Sequence, residues 1–158
     1  MNTQTPKSGN SSTRYRHTQP GYVTGGAGLL GILATYSGFA DSVSEWNAFE
    51  YVALGGFGLL TVLFSSLTTE VTDHEFRFHF GPGFWRHAFS LDTIRSVEVV
   101  RNPIWYGWGI RYTPSGWLYN VSGRSAVEVD LGSEGVIRVG TDEPEQLARV
   151  LQQSVEAA

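Results

Sequence analysis

The chain has 158 residues, of which 11 are basic and 15 acidic, giving a net charge of -4, and it contains no cysteine. The absence of thiols removes disulfides, thiolate catalysis and cysteine-ligated metals, while the basic residues are scattered and give nucleic-acid binding no electrostatic footing. The length holds one small globular domain beside a helical hairpin, and no second large core.

Residues 1–19 are rich in Ser, Thr, Asn and Gln, with Lys7, Arg14 and Arg16 and no acid. That composition reads as a disordered tail. Two apolar runs without Asp, Glu, Lys or Arg follow, at 21–40 and 51–69. Each has about 20 residues, enough at about 1.5 Å per residue to reach roughly 30 Å, so residues 20–69 are predicted to form a two-helix transmembrane hairpin. The competing reading, a pair of buried helices in a soluble protein, lacks the polar stripe such helices carry.

The intervening loop, 41–50, carries Asp41, Glu45 and Glu50 and no base. Charge bias then places the N-terminus and the C-terminal domain in the cytoplasm and the loop outside, the topology of a multi-pass cell-membrane (inner-membrane) protein. A rival reading makes Arg14 and Arg16 a signal-peptide n-region with cleavage after Ala40, and it leaves the C-terminal domain on the same side. Gly21, Gly25, Gly28 and Gly31 in the first run and Gly55 and Gly58 in the second are candidate helix-packing positions. Trp46, Phe49 and Tyr51 read as interfacial anchors. Neither run holds the ionisable group that a channel or transporter path requires.

From residue 70 the period changes to alternation, with Phe76, Phe78 and Phe80 against Glu75, Arg77 and His79. Gly81-Pro82-Gly83 breaks that strand, and further extended stretches are expected at 84–91, 95–101, 107–113, 117–121, 126–131 and 135–139. Pro144 and the spacing of Leu147, Val150, Leu151 and Val155 predict a closing helix over 143–156, with Thr141 or Asp142 as cap. The expected fold is an α+β membrane protein: the hairpin, then in residues 70–158 a seven-stranded antiparallel partial barrel with a C-terminal helix.

That order of strands and helix, with the stretches Asn102-Pro103-Ile104-Trp105-Tyr106-Gly107-Trp108-Gly109-Ile110-Arg111, 116–123 and 139–144, resembles small prokaryotic membrane proteins in which a two-helix hairpin precedes a pleckstrin-homology-like (PH-like) domain. The resemblance implies a PH-like fold and a place at the membrane. It brings no catalytic or ligand residues with it, and phosphoinositide binding does not follow, because residues 70–158 contain no Lys.

Trp105, Tyr106, Trp108, Arg111 and Trp117 form the candidate interaction surface, where aromatic rings either pack across strands or meet lipid headgroups or a protein partner. His74, His79 and His87 invite a metal, but His74 and His79 are five apart and fall on opposite faces of a regular strand, so no metal site is assigned. No nucleophile, base and orienting group share a recognisable motif, which argues against an enzyme, and no cofactor motif stands in context. The expectation is a non-enzymatic membrane protein presenting its domain for protein or lipid contact, with the bilayer and a protein partner or second copy as partners. The alternative is an assembly subunit of a membrane complex, acting through the glycine-rich hairpin.

Overall fold

The computed structural model describes residues 12–39 and 48–158. Met1 to Ser11 of the expected tail, Trp46, and most of the expected acidic loop lie outside the described residues. Sheet A is an antiparallel meander of β1 (Thr13–Pro20), β2 (Ser66–Thr72), β3 (Glu75–Phe80) and β4 (Phe84–Ser90), in that order. Helices α1 (Tyr22–Phe39) and α2 (Ala48–Leu63) lie in the connection between β1 and β2. Sheet B has the order β5 (Ser96–Arg101), β8 (Ser125–Asp130), β9 (Val136–Gly140), β7 (Gly116–Asn120) and β6 (Gly109–Thr113), with β7 and β9 parallel and the other neighbours antiparallel. Helix α3 (Pro144–Glu156) closes the chain.

The expected tail supplies a strand. Arg16 pairs with Glu70, Thr18 with Thr68 and Pro20 with Ser66, while Tyr15 and Gln19 turn inward and are buried. Its outward residues are polar because one face of an antiparallel strand is solvated, and this gives the segment the composition of a disordered one.

The expected second span is divided. Its helical part stops at Leu63, and Ser66 to Thr69 belong to β2, where Leu67 pairs with Phe80 and Thr69 with Phe78. The β-branched residues Thr68, Thr69, Val71 and Thr72 fit a pleated surface better than a helix. What remains is a 16-residue helix, about 24 Å long against a hydrocarbon core of roughly 30 Å. Helix α1 has 18 residues, five of them glycine, with Thr24, Thr35 and Ser37 among the rest. Among the described residues no helix is long and apolar enough to cross a membrane. The expected transmembrane hairpin is therefore corrected, together with the multi-pass cell-membrane placement and the integral-membrane role built upon it, including the membrane-complex subunit.

The single seven-stranded partial barrel is corrected as well. The seven extended stretches fall on β3 to β9, but β1 and β2 complete a four-stranded sheet with two of them, and the other five form a separate sheet. The break lies at a 3-10 turn, Leu91–Thr93, where buried Leu91 and Ile94 anchor the corner. The Leu91 N–H donates to the His74 carbonyl at 3.0 Å and the Arg95 N–H to that of Asp130 at 2.8 Å, so the backbone leaves one sheet and joins the other.

The core lies between the two sheets and α3. Phe76, Phe78 and Phe80 are fully buried from β3, and Val127 and Val129 meet them from β8, each strand alternating with polar outward residues. Leu147 and Leu151 of α3 are also fully buried. Each such side chain stabilises the fold by about 1.5–3 kcal/mol through burial. At the start of α3 the Glu143 N–H donates to the Thr141 hydroxyl at 3.1 Å, whereas the Asp142 carboxylate is engaged by His17.

Candidate functional site

The hairpin grows out of a β-hairpin. Pro20 and Ser66 are the last strand pair, and one step beyond it the Gly21 N–H donates to the Ser65 carbonyl at 2.7 Å. The root is tied to the turn between β7 and β8: Gln19 Nε2 donates to the Ser122 carbonyl at 3.1 Å, and the Ser122 hydroxyl donates to that of Pro20 at 2.8 Å. The Thr24 hydroxyl lies 2.6 Å from the Phe64 carbonyl oxygen, joining the foot of α1 to the end of α2.

Within the hairpin, contact is confined to one seam. Thr24, Gly28, Gly31 and Thr35 are partly covered and recur three and four residues apart, the spacing of neighbours on one helix face. A methyl group at Gly28 would collide with the Thr61 hydroxyl, and one at Gly31 would stand 2.7 Å from the Phe57 ring. Gly21 sits as closely against the Phe64 carbonyl, whereas Gly25, Gly55 and Gly58 face open space. The candidate packing glycines thus divide into three at close contacts and three pointing outward.

Outside the seam the hairpin is apolar and uncovered. Leu29, Leu30, Leu33, Val52, Leu59, Leu60 and Val62 are all more than half exposed. A helix that is apolar all round normally lies within an apolar surrounding, and no third layer covers these two among the described residues.

Aromatic residues ring the root. At the turn between β3 and β4, Gly81 lies against the carbonyls of Val62 and Leu63. One extra residue in β4 bulges the pair, since Phe78 faces His87 but Phe80 faces Phe84, and Trp85 takes a φ of 42° there. This left-handed conformation is strained for a bulky residue, and bulges re-aim side chains. The Trp85 ring contacts that of Phe64 at 6.1 Å between centroids and remains 54% exposed.

The loop between β5 and β6 supplies the other side of the ring. Trp105 is 78% exposed beside exposed Ile104, and Tyr106 is partly covered. Trp108 donates from Nε1 to the Gly123 carbonyl at 3.0 Å and accepts Arg111 Nε at its own carbonyl at 3.0 Å. With Thr24, Gly28, Phe57, Thr61 and Phe64 it lines a cavity of about 320 Å³ at the hairpin root, which no charged residue lines. Trp117 lies elsewhere: it packs edge-on against Tyr112 at 5.5 Å, near the turn at the opposite end of β6 and β7. The five candidate residues therefore separate into a root group and one member on a different part of sheet B.

The histidines are dispersed. His87 stacks on Phe78 at 5.1 Å and lies 4.9 Å from Tyr119, and burial among these rings pushes its pKa down. His79 pairs with Thr68 on β2, and the β4 residue His87 pairs with Phe78. Among the described residues no three His, Cys, Asp or Glu side chains converge on a point suited to a metal.

Reading the sequence missed a polar cluster formed by β1 and the start of α3. His17 Nε2 lies 2.6 Å from the Asp142 carboxylate and Nδ1 3.4 Å from that of Glu143, to which the Tyr15 hydroxyl donates at 3.1 Å. Burial first, then the neighbouring Glu143 carboxylate, push the Tyr15 pKa up. At the far end of β1, hydrogen bonds from Ser12 and then Arg14 hold Asp73 down at about 2. Separations of 125 and 128 residues left no local signal for the first cluster.

No protein-family model and no curated protein matches the sequence. The expected membership in a family of hairpin-bearing PH-like membrane proteins is corrected accordingly, since the two-sheet arrangement and the helix lengths also depart from it.

Proposed function

We propose that this protein is a non-enzymatic docking module in which the β-domain is the rigid base and the α1–α2 hairpin is the element that engages a partner of apolar chemistry. The observation that carries this reading is the set of exposed Leu and Val side chains on both helices outside their shared seam. Leaving each in water forgoes about 1.5–3 kcal/mol of burial, and contiguous apolar surface of this kind marks interaction sites.

Two apolar partners fit: a second copy of the hairpin, which the outward Gly25, Gly55 and Gly58 would admit closely, and the acyl region of a lipid surface. Sedimentation of the full chain in lipid-free buffer and with vesicles, beside a Leu30→Ser, Leu59→Ser variant, tests the reading. The wild type is expected to associate with itself or with vesicles, and the variant to stay monomeric and free. A wild type that is monomeric in buffer and ignores vesicles would overturn it.

A further inference from the structure

The basic residues that are scattered in sequence are gathered by the fold. Residues 99–127 contain Arg101, Arg111 and Arg124 and no acid. Arg101 ends β5 and Arg124 stands in the turn after β7, both at the end of the β-domain from which the hairpin emerges, and Arg111, in the middle of β6, reaches back toward that end to the Trp108 carbonyl. Arg86, at the bulged start of β4, lies at the same end of sheet A as the root, its Nε on the Gly83 carbonyl of the turn.

All four arginines are exposed, and none is ion-paired among the described residues. Three are steadied through Nε by a nearby carbonyl: Arg86 by Gly83 at 2.9 Å, Arg111 by Trp108 at 3.0 Å and Arg124 by Asn102 at 3.1 Å. Their terminal nitrogens stay available to an outside acceptor. Asp73, Asp92 and Glu134 lie in the turns farthest from the hairpin root, while Asp142 and Glu143, which follow β9 on the root side, are engaged by His17 and Tyr15.

Resting on the docking reading above, we infer that the partner is an anionic lipid surface. The hairpin lays its exposed Leu and Val flank against the acyl region, with Glu50 at its far end kept out of the hydrocarbon, Trp85 and Trp105 lie at headgroup depth, and the four arginines meet headgroup phosphates. Three features coincide in position and fit this one occupant. The hairpin is apolar on its outward flanks, amphipathic rings surround its root, and unpaired positive charge lies beside those rings. Indole favours the headgroup level, and guanidinium pairs with phosphate in bidentate geometry. A second copy would bring the same positive end against this one in a side-by-side parallel pair, which like charges oppose.

The test is flotation of the full chain with vesicles of phosphatidylcholine alone and of phosphatidylcholine with phosphatidylglycerol in equal parts, at low and high salt. Expected is stronger binding to the anionic vesicles that weakens with salt, and a loss of roughly 25-fold in partitioning for Arg101→Gln with Arg124→Gln, at about fivefold per arginine. Arg95→Gln, at the far end of β5, should bind as the wild type does. Both changes are at exposed side chains, and an unaltered β-sheet circular dichroism spectrum checks that the variants fold.

Equal binding to both vesicles would overturn the anionic partner and leave the docking reading standing. Absence of flotation from a chain that forms a defined oligomer in buffer would overturn the lipid partner and favour the second copy. A monomer that floats with neither vesicle would overturn both readings.

Discussion

Phe78 in β3 and Leu30 in α1 are both large apolar side chains, yet Phe78 is 1% exposed and Leu30 67%. The difference is one of closure. In the β-domain each strand turns one face inward, and the two sheets together with α3 enclose those faces, so the apolar residues of one element are buried by those of the next. In the hairpin, two helices share one seam, and among the described residues nothing encloses the remaining flanks. A two-helix layer cannot bury side chains that point away from both members, and the apolar surface left over is where the proposed partner would dock.

The largest effect expected from this contrast is a separation of folding from docking. Replacing residues 21–65 by an Asn-Gly turn joins Pro20 to Ser66, which are already the last strand pair, and Asn-Gly suits a two-residue β-hairpin. The shortened chain should fold and unfold cooperatively and lose vesicle binding and self-association altogether. Failure of its β-domain to fold would show that the hairpin belongs to the core.

Single substitutions sharpen the same contrast. Phe78→Ala should cost about 3–5 kcal/mol in chemical denaturation, whereas Leu30→Ser should change stability by no more than about 0.5 kcal/mol while weakening docking. Within the hairpin, Gly28→Ala must displace Thr61 and should destabilise the helices by about 1–3 kcal/mol. Gly55→Ala meets open space and should stabilise α2 by about 0.5–1 kcal/mol. Helical circular dichroism over a thermal scan separates the two.

The smallest effects are those of pH, and they belong to the β-domain. His87 has its pKa lowered by burial from 6.5, so the unfolded chain binds the proton more readily than the folded one. Stability should then fall as pH drops below about 6.5, and His87→Gln should flatten that part of the profile. Asp73 is held down at about 2 from 3.8. Its contribution is present above about 4 and disappears as pH falls toward 2, and amide exchange along β1 should rise over that interval in the wild type but not in Asp73→Asn.

How much of this was legible in the sequence depended on how locally each feature was encoded. The alternation of Phe76, Phe78 and Phe80 with polar residues marks β3, because side chains in a strand point to opposite faces in turn. Pro144 followed by Leu147 and Leu151 marks α3 in the same way. The aromatic residues at 104–108 announce a surface group, and the acid-free stretch 99–127 was a readable signal of the positive end. By contrast, β1 carried too few apolar residues to be separated from a disordered tail, and Leu67-Thr68-Thr69 were absorbed into an apolar run whose hydropathy does not distinguish strand from helix. The pairing of His17 with Asp142 and Glu143 had no local trace.

The sequence by itself determined the alternating strands, the amphipathic closing helix and an apolar, charge-poor helical segment, since periodicity and composition act over a few residues. Tertiary structure alone decided where the second helix ends, because β2 gains a strand partner on either side only once β1 and β3 are present. It also decided that the nine strands of the described residues divide into two sheets at the Leu91 corner, and that four arginines far apart in the chain share the end bearing the hairpin. Contacts between residues distant in sequence carry the free energy of those choices, and no local pattern encodes them.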